Sequence, residues 1–578
     1  MIVYATDRDV DAATQRVQAA LDEIDEWADA WDMTARKSKT KSILFSSHQN
    51  EVNSKRPLYL CMGNDILEQV KETKILGVTF DSQLRFRAHI DHTKRKVEKR
   101  LNAMKALAGT NWGCRGQTLR TLYKTFIQPI ALYGSSTFVQ FASQSNREML
   151  DRSAKAAARI ITGCPVDTRQ AVLMAEANIR PITSIAEEQG AILFERIQRL
   201  PTNIPAVTTA QRHGEPRLQH RDAWRPQAQQ TTIEAGLAPL PREGSRCTTQ
   251  APWDTQGTGT ITINTVAADK TRKTDRPDAR RSEYEKVAET LPPASAVYFT
   301  DGSSTAGSGK GGAGIVRKER GGRGDKNWNL PAGDLTSSYR TEQVALLEAM
   351  KDATNAPEEI TTIRICTDSL ALLERIKKGP WRRQPETMVQ IWESIGKLRS
   401  GGKHLQLLWV PGHAGVRENE EADAAANEGR NQTQRPNQTM QIDFQSAKAA
   451  IKRSCQKKWS GIYNTTVPLD HPHRRATGGM PIKDEVRWSR REQVALHQLR
   501  ANRCPQLQAT LFRWKRPGTD GTCDVCGDPE DTEHFICECP KYQGARTGLL
   551  GPSPEIDILQ TEPDAVIRFI RRTGLLKA

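Results

Sequence analysis

The chain has 578 residues, with 84 Lys plus Arg against 68 Asp plus Glu, a formal charge of +16. This length implies several domains, and the basic excess favours polyanionic partners, because neutralising phosphates releases counterions. No run of about 20 apolar residues occurs, and the N-terminus MIVYATDRDV lacks a basic segment followed by an apolar stretch, so neither a membrane span nor a signal peptide is expected. Hydrophobic residues make up 37%, which implies cores diluted by long polar segments. Eleven cysteines are mostly scattered, but four cluster between Cys523 and Cys539. That usage points to a metal site in a reducing, intracellular compartment, with nucleus and cytoplasm both open.

Residues 1–200 carry mainly helical periodicity. Val17, Leu21, Ile24, Trp27, Ala28 and Trp31 recur at helical spacing and predict an amphipathic helix. A basic loop over Lys37–Lys41 leads to a short strand at Ile43-Leu44-Phe45. The run Lys74-Ile75-Leu76-Gly77-Val78-Thr79-Phe80 follows, then a charged helix over about 87–108 and another around Gln117–Ile127, ending near Pro129. Residues 205–293 are rich in Pro, Gln, Thr, Arg and Gly, with little apolar periodicity, and read as a disordered linker. Residues 294–430 alternate strand-like and helix-like runs, as an α/β domain does. Residues 431–515 form a basic connector with helices at Phe444–Trp459 and Arg490–Arg500. The Cys/His cluster falls in 516–545, and 546–578 is a C-terminal tail.

Within 294–430, four acids stand in four contexts. Asp301 ends the alternating run Val297-Tyr298-Phe299-Thr300, and Asp368 ends Ile363-Arg364-Ile365-Cys366-Thr367, so each can project from a strand end. Glu342 lies four residues before Leu346 on a predicted helix; if Leu346 packs on a sheet, Glu342 points to the same side. Asp423 sits in an Ala-rich helix, where Ala422, Ala425 and Ala426 permit close approach to other elements. Converging carboxylates are the hard oxygen ligands Mg²⁺ needs, and two such ions can cleave a phosphodiester by in-line attack.

The order strand–Asp301-Gly302-Ser303, helix Glu342, strand Thr367-Asp368-Ser369, then His413-x-Gly415-x-x-x-Asn419-x-x-Ala422-Asp423 resembles the type 1 ribonuclease H family. The resemblance implies a mixed sheet with flanking helices and an RNA–DNA hybrid as partner. It implies two catalytic Mg²⁺ ions on Asp301, Glu342, Asp368 and Asp423. His413, in a Gly-flanked loop, matches the family's histidine for proton transfer or product departure. Gly302, Ser303 and Ser304 offer amides and hydroxyls to the hybrid backbone. The Gly-rich, charged stretch Ser303–Asn329, with Gly321-Gly322-Arg323-Gly324, departs from the family pattern and is expected to lengthen the first hairpin.

Cys523, Cys526, His534 and Cys539 form C-x2-C-x7-H-x4-C, a spacing that suits tetrahedral Zn²⁺, with Gly527 permitting a tight turn. Four protein ligands would make the zinc structural. Cys537 rivals Cys539 as the last ligand. The stretch Glu533–Pro540 resembles the terminal knuckle of non-LTR retrotransposon polyproteins, and that resemblance favours Cys539.

The N-terminal part resembles the end of a non-LTR reverse transcriptase. Tyr4-Ala5-Thr6 matches the strand leaving the polymerase's paired aspartates, Lys74–Val78 with Leu84 and Phe86 the primer grip, and Tyr123 to Gly134 the thumb. The resemblance implies a truncated retroelement fragment. Its paired aspartates would precede Met1, so reverse transcription is not expected. Asp7 and Asp9 read as exposed acids at a helix start. The expected architecture is multidomain α/β: a ribonuclease H-like mixed sheet with flanking helices, preceded by a largely helical palm and thumb remnant, followed by a small zinc knuckle. The expected function is Mg²⁺-dependent endonucleolytic hydrolysis of RNA in RNA–DNA hybrids. The alternative is a catalytically silent nucleic-acid-binding remnant using its basic surface and the zinc knuckle, and the N-terminal region offers Lys37, Lys39, Lys41 and Lys74 for nucleic-acid binding.

Overall fold

The computed structural model describes residues 1–33, 36, 39–46, 57–211, 224–247, 251, 257–305, 309–322, 324–381, 383–432, 440–478 and 488–576. Lys37 and Arg323 lie outside the described residues. The chain divides into two units: Met1–Gly190 with Arg221–Trp224 and Lys457–Ala578, and Ala191–His220 with Arg225–Gln456.

The second unit is built on a six-stranded sheet. Its strands are β1 (Ile261–Asn264), β2 (Ala296–Ser304), β3 (Gly311–Glu319), β4 (Lys326–Gly333), β5 (Thr362–Thr367) and β6 (His404–Trp409), in the spatial order β4-β3-β2-β5-β6-β1. The β2–β3 and β3–β4 pairs are antiparallel, whereas β2–β5, β5–β6 and β6–β1 are parallel. The helices are α1 (Val266–Lys270), α2 (Pro277–Thr290), α3 (Ser338–Thr354), α4 (Leu370–Lys378), α5 (Glu386–Ser400) and α6 (Arg417–Asn431). Both faces of the central strands are covered, which explains why Ile363, Ile365 and Cys366 of β5 are all fully buried. Helix α3 starts where the Ser337 hydroxyl accepts from the Arg340 amide. Leu346 and Met350 of α3 lie with Ile365 and Leu407 in the main core. Each such side chain contributes about 1.5–3 kcal/mol by leaving water.

Over the described residues of 205–293, regular elements stand in place of the disordered linker expected there. Helices occupy Pro205–Gln211 and Trp224–Glu234, and Ser245–Cys247 pairs with Arg383–Pro385. Arg199 Nη1 donates to the carbonyls of Glu243 (3.0 Å) and Ile442 (2.6 Å). The buried Glu243 carboxylate accepts from Arg340 Nη1 at 3.0 Å and the Thr387 amide at 2.7 Å. Strand β1 extends the main sheet, while Ala267, Tyr284 and Val287 join its core. These elements are short and set in polar, charged sequence, so their apolar pattern is too brief to stand out. The Gly-rich departure also resolves differently: Gly311, Gly312 and Gly314 belong to β3, and a turn containing Gly321 and Gly322 joins β3 to β4.

In the first unit, Asp9 caps the helix Val10–Ala30 by accepting from the Asp11 amide. Leu21 packs with Leu58, Leu60, Met62 and Leu67, but Trp27 and Trp31, predicted on the same face, are exposed. The strand predicted at 43–45 falls instead at Lys41–Ser42, parallel to Glu68–Gln69. Glu72–Ile75 and Val78–Asp81 form a hairpin whose turn puts Leu76 and Gly77 at positive φ. The helix starting at Gly116 does not stop near Pro129. It passes through a π-turn at Tyr123–Ile127 and resumes over Gln128–Leu132, with the proline in the first turn, where its missing N–H is harmless. The predicted tail is corrected too: Phe569 and Ile570 of the helix Pro563–Arg572 share a core with Phe535, Ile536 and Leu499. Among the described residues no helix is long and apolar enough to cross a membrane.

Candidate functional site

Strand register creates the acidic edge. Thr300 of β2 pairs with Thr367 of β5, so Asp301 and Asp368, each one residue further along, emerge at the same end of adjacent parallel strands. Glu342 arrives from the first turns of α3, which approach β2 at Gly302. A Cβ there would lie 2.4 Å from the Glu342 amide nitrogen, so glycine is required by contact. The Gly302 amide donates to Asp301 Oδ1 (2.6 Å) and to Glu342 Oε1 (3.2 Å). Ligand oxygens of Asp301, Glu342 and Asp368 all lie within 4.8 Å of one another.

Asp423 is half-buried on α6 and stands outside that closest trio, yet its charge acts on both Asp301 and Asp368. Its helix reaches the sheet because β3 offers glycines: a Cβ on Gly312 or Gly314 would come within 2.1 Å of the Ala426 or Ala422 carbonyl oxygen. Asn427 Nδ2 donates to Asp423 Oδ1 at 3.1 Å, Ser303 Oγ donates to Asn427 Oδ1 at 2.7 Å, and Arg430 Nη1 donates to Ser303 Oγ at 3.1 Å. Asn427 and Arg430 were not singled out from sequence. Their position one and two helical turns beyond Asp423 is the signal that could have found them. Ser303 thus has intramolecular partners, while Ser304 is half-buried beside Ser338.

Burial, then the neighbouring Asp368 and Asp423 charges, raise the Asp301 carboxyl to about 7. Burial, then Asp301 and Asp368, push Glu342 well above the usual carboxylate range. Asp368 is raised chiefly by burial, against the opposing charge of His413. Glu342 Oε2 is buried without a hydrogen-bond donor. Crowded carboxylates with an orphaned oxygen fit a divalent cation, which would supply the positive charge the protein withholds.

His413 is exposed at positive φ (49°) in the loop between β6 and α6. Gly412 brings this loop against the acids: a Cβ there would meet Asp368 Oδ2 at 2.4 Å. Trp409 Nε1 donates to the Asp368 carbonyl at 3.1 Å, tying the loop's approach strand to the same residue.

A separate cluster holds Cys523, Cys526, His534 and Cys539, again with ligand atoms within 4.8 Å of one another. Cys523 and Cys539 sulfurs are 3.7 Å apart, and Cys526 Sγ is 3.3 Å from His534 Nε2. Gly527 turns the chain at φ 78°, and the Cys523 amide donates to the Asp528 carbonyl at 2.8 Å. Cys537 lies outside the cluster and packs on the C-terminal core; burial pushes its thiol up to about 12. Three thiols and an imidazole fit Zn²⁺.

A mixed sheet that gathers acids at the ends of its two central parallel strands defines the ribonuclease H-like class. The ribonuclease H family description matches residues 293–431. A ribonuclease H of Paracidovorax citrulli is 37% identical over 145 residues, covering 23% of this chain and 92% of that protein. The ribonuclease H of Neisseria gonorrhoeae is 30% identical over 142 residues, covering 23% and 92%. A probable RNA-directed DNA polymerase from transposon BS of Drosophila melanogaster is 24% identical over 187 residues, covering 32% of this chain and 20% of that protein. The crystal structure of RNase H1 from Halobacterium salinarum shares 23% identity, covers 23% of this chain and 96% of that one, and superposes with a TM-score of 0.19. The chain belongs to the ribonuclease H family through this domain, and it is a ribonuclease H enzyme.

Proposed function

We propose that the chain hydrolyses the RNA strand of RNA–DNA hybrids endonucleolytically and with Mg²⁺, within a retroelement protein. The observation that carries this reading is the convergence of Asp301, Glu342 and Asp368 within 4.8 Å, with Asp423 charged nearby. These four residues would hold two Mg²⁺ ions. Mg²⁺ held by these residues would supply activation of a water and stabilisation of charge at a leaving 3′-oxygen. Gly302 orients Asp301 and Glu342 through its shared amide, and Asn427 holds Asp423 toward the same edge. His413, on its exposed loop beside Asp368, would move a proton or ease product departure. The retroelement context rests on similarity to the transposon polymerase, of which this chain spans about a fifth. The Cys/His cluster would hold one structural Zn²⁺ on Cys523, Cys526, His534 and Cys539 and so brace a nucleic-acid-binding segment.

The test is a labelled RNA–DNA hybrid incubated with the purified chain and Mg²⁺. Internal cleavage of the RNA strand, lost in a chelator, is the expected result. Binding without cleavage would favour a silent nucleic-acid-binding protein.

A further inference from the structure

The segment 261–290 precedes the residues that the family description matches, which begin at 293. It is nevertheless part of the nuclease domain. Strand β1 pairs with β6 from Leu405 to Leu408, and Tyr284 Oη lies 3.6 Å from Cys366 Sγ, two residues before Asp368. Helix α2 also braces the histidine loop from outside. Arg280 Nη2 donates to the Gly412 carbonyl and Arg281 Nη1 to the Gly415 carbonyl, both at 3.3 Å, so His413 sits between two anchored peptides.

Between α1 and α2, the exposed turn 271–276 carries Arg272, Lys273 and Arg276. Asp275 accepts from the Arg272 amide at 2.7 Å, which shapes the turn. Asn264 closes β1 opposite Leu408 of β6, and Arg280 of α2 holds Gly412 beside Asp368, so the turn between α1 and α2 is tethered at the end of the sheet where the acids emerge. Lys273 stands exposed at the middle of the turn, with the exposed Arg272 and Arg276 on either side. A cation facing this edge reduces the repulsion between the acids and an incoming phosphodiester.

We propose that the turn 271–276 is a phosphate subsite of the nuclease, with Lys273 contacting the hybrid's backbone beside the reacting phosphate. The proposal rests on the hybrid-hydrolysis reading above. The ligand is a nucleic-acid phosphate held by charge, so the subsite adds affinity without base preference. Arg280 and Arg281 are positioning residues that act through the His413 loop.

The experiment uses the full chain carrying Asp301→Asn, so that binding is read without cleavage, and follows a fluorescent hybrid by anisotropy across a salt series. Lys273→Gln is expected to weaken binding about five-fold and to reduce the slope of log K against log salt by about 1, one phosphate contact. Lys286→Gln, an equal loss of charge on α2 outside the turn, is expected to leave the slope unchanged. In the chain that retains Asp301, Lys273→Gln should raise KM with kcat nearly constant, and Arg280→Ala should lower kcat with KM nearly constant, partly rescued by Arg280→Lys. An unchanged salt slope for Lys273→Gln, or equal effects of Lys273→Gln and Lys286→Gln, overturns the proposal. Failure of the parent chain to cleave any hybrid overturns the hydrolysis reading instead, and the binding series still decides the subsite.

Discussion

Replacing Asp301 by asparagine should stabilise the metal-free protein at alkaline pH. The Asp301 carboxyl is raised from 3.8 to about 7, first by burial and then by Asp368 and Asp423. In the unfolded chain it titrates near 3.8, so between these values the folded state binds the extra proton. Its favourable contribution is therefore complete below about 4 and is lost as the pH rises through about 7. Above that, wild-type protein must hold a buried carboxylate against its neighbours. A shift of this size corresponds to on the order of 4 kcal/mol. The repulsion is shared with Glu342 and Asp368, so that figure is a ceiling, and ~2 kcal/mol is the expected gain for the nearly isosteric amide. For a domain of roughly 150–250 residues this raises Tm by about 4–8 °C. Thermal melts in chelator at pH 8 should show the increase for Asp301→Asn, and melts toward pH 4 should show it fade. Excess Mg²⁺ should raise the wild-type Tm and leave the variant nearly unmoved. A variant less stable than wild type at pH 8 in chelator would refute the crowding of carboxylates described above.

Asp368→Asn should reduce hybrid cleavage at least a hundred-fold with folding intact by circular dichroism, since it removes a charged group from the metal edge. His413→Ala should cost less, about ten- to a hundred-fold in kcat, and survival of full turnover would remove the histidine from the mechanism. Elemental analysis of protein purified without chelator should find one Zn²⁺ per chain, lost in Cys539→Ala and kept in Cys537→Ala; the opposite pattern would exchange the ligands.

The acidic edge was readable because each strand announces its end. Val297 to Thr300 and Ile363 to Thr367 are short strand-like runs that stop at an aspartate, and pairing Thr300 with Thr367 does the rest. Glu342 followed from its spacing to Leu346, which is fully buried. What escaped depends on long-range packing. Gly312 and Gly314 look like loop residues in sequence, yet they are the floor on which α6 rests, and only the Ala422 and Ala426 carbonyls reveal this. Strand β1 has four residues and one partner, so its alternation is too short to outweigh the polar composition around it. Trp27 and Trp31 fit the helical period but lie beyond the patch that Leu58–Leu67 can cover. The final helix had a readable signal in Val566, Ile567, Phe569 and Ile570, which recur on one face and are buried.

The C-terminal segment is more than an appended Cys/His cluster, and Glu176 supplies the test. This acid lies in the helix Gln170–Ala177 of the first unit and is completely buried. Its oxygens lie 3.0 Å from His473 Nε2 and 2.6 Å from His497 Nδ1, with Arg500 Nη1 at 3.5 Å. Burial alone would raise its carboxyl, but His473, His497 and Arg500 reverse the balance and hold it well below the usual range. Tyr463 and Val467 meanwhile lie in the same core as Leu150, Ile161 and Leu173, and Arg490 Nη1 donates to the Ile161 carbonyl at 2.6 Å. Residues beyond 457 thus complete the interior of the N-terminal helices. Glu176→Ala would strand the buried Arg500 guanidinium and the two imidazoles without their acceptor, a loss of about 3–5 kcal/mol. Glu176→Gln keeps the shape and one acceptor and should cost less. Urea unfolding followed by tryptophan fluorescence would measure both. If Glu176→Ala unfolds at the wild-type urea concentration, the cluster is not a joint between the two stretches, and the C-terminal segment would stand as an independent domain.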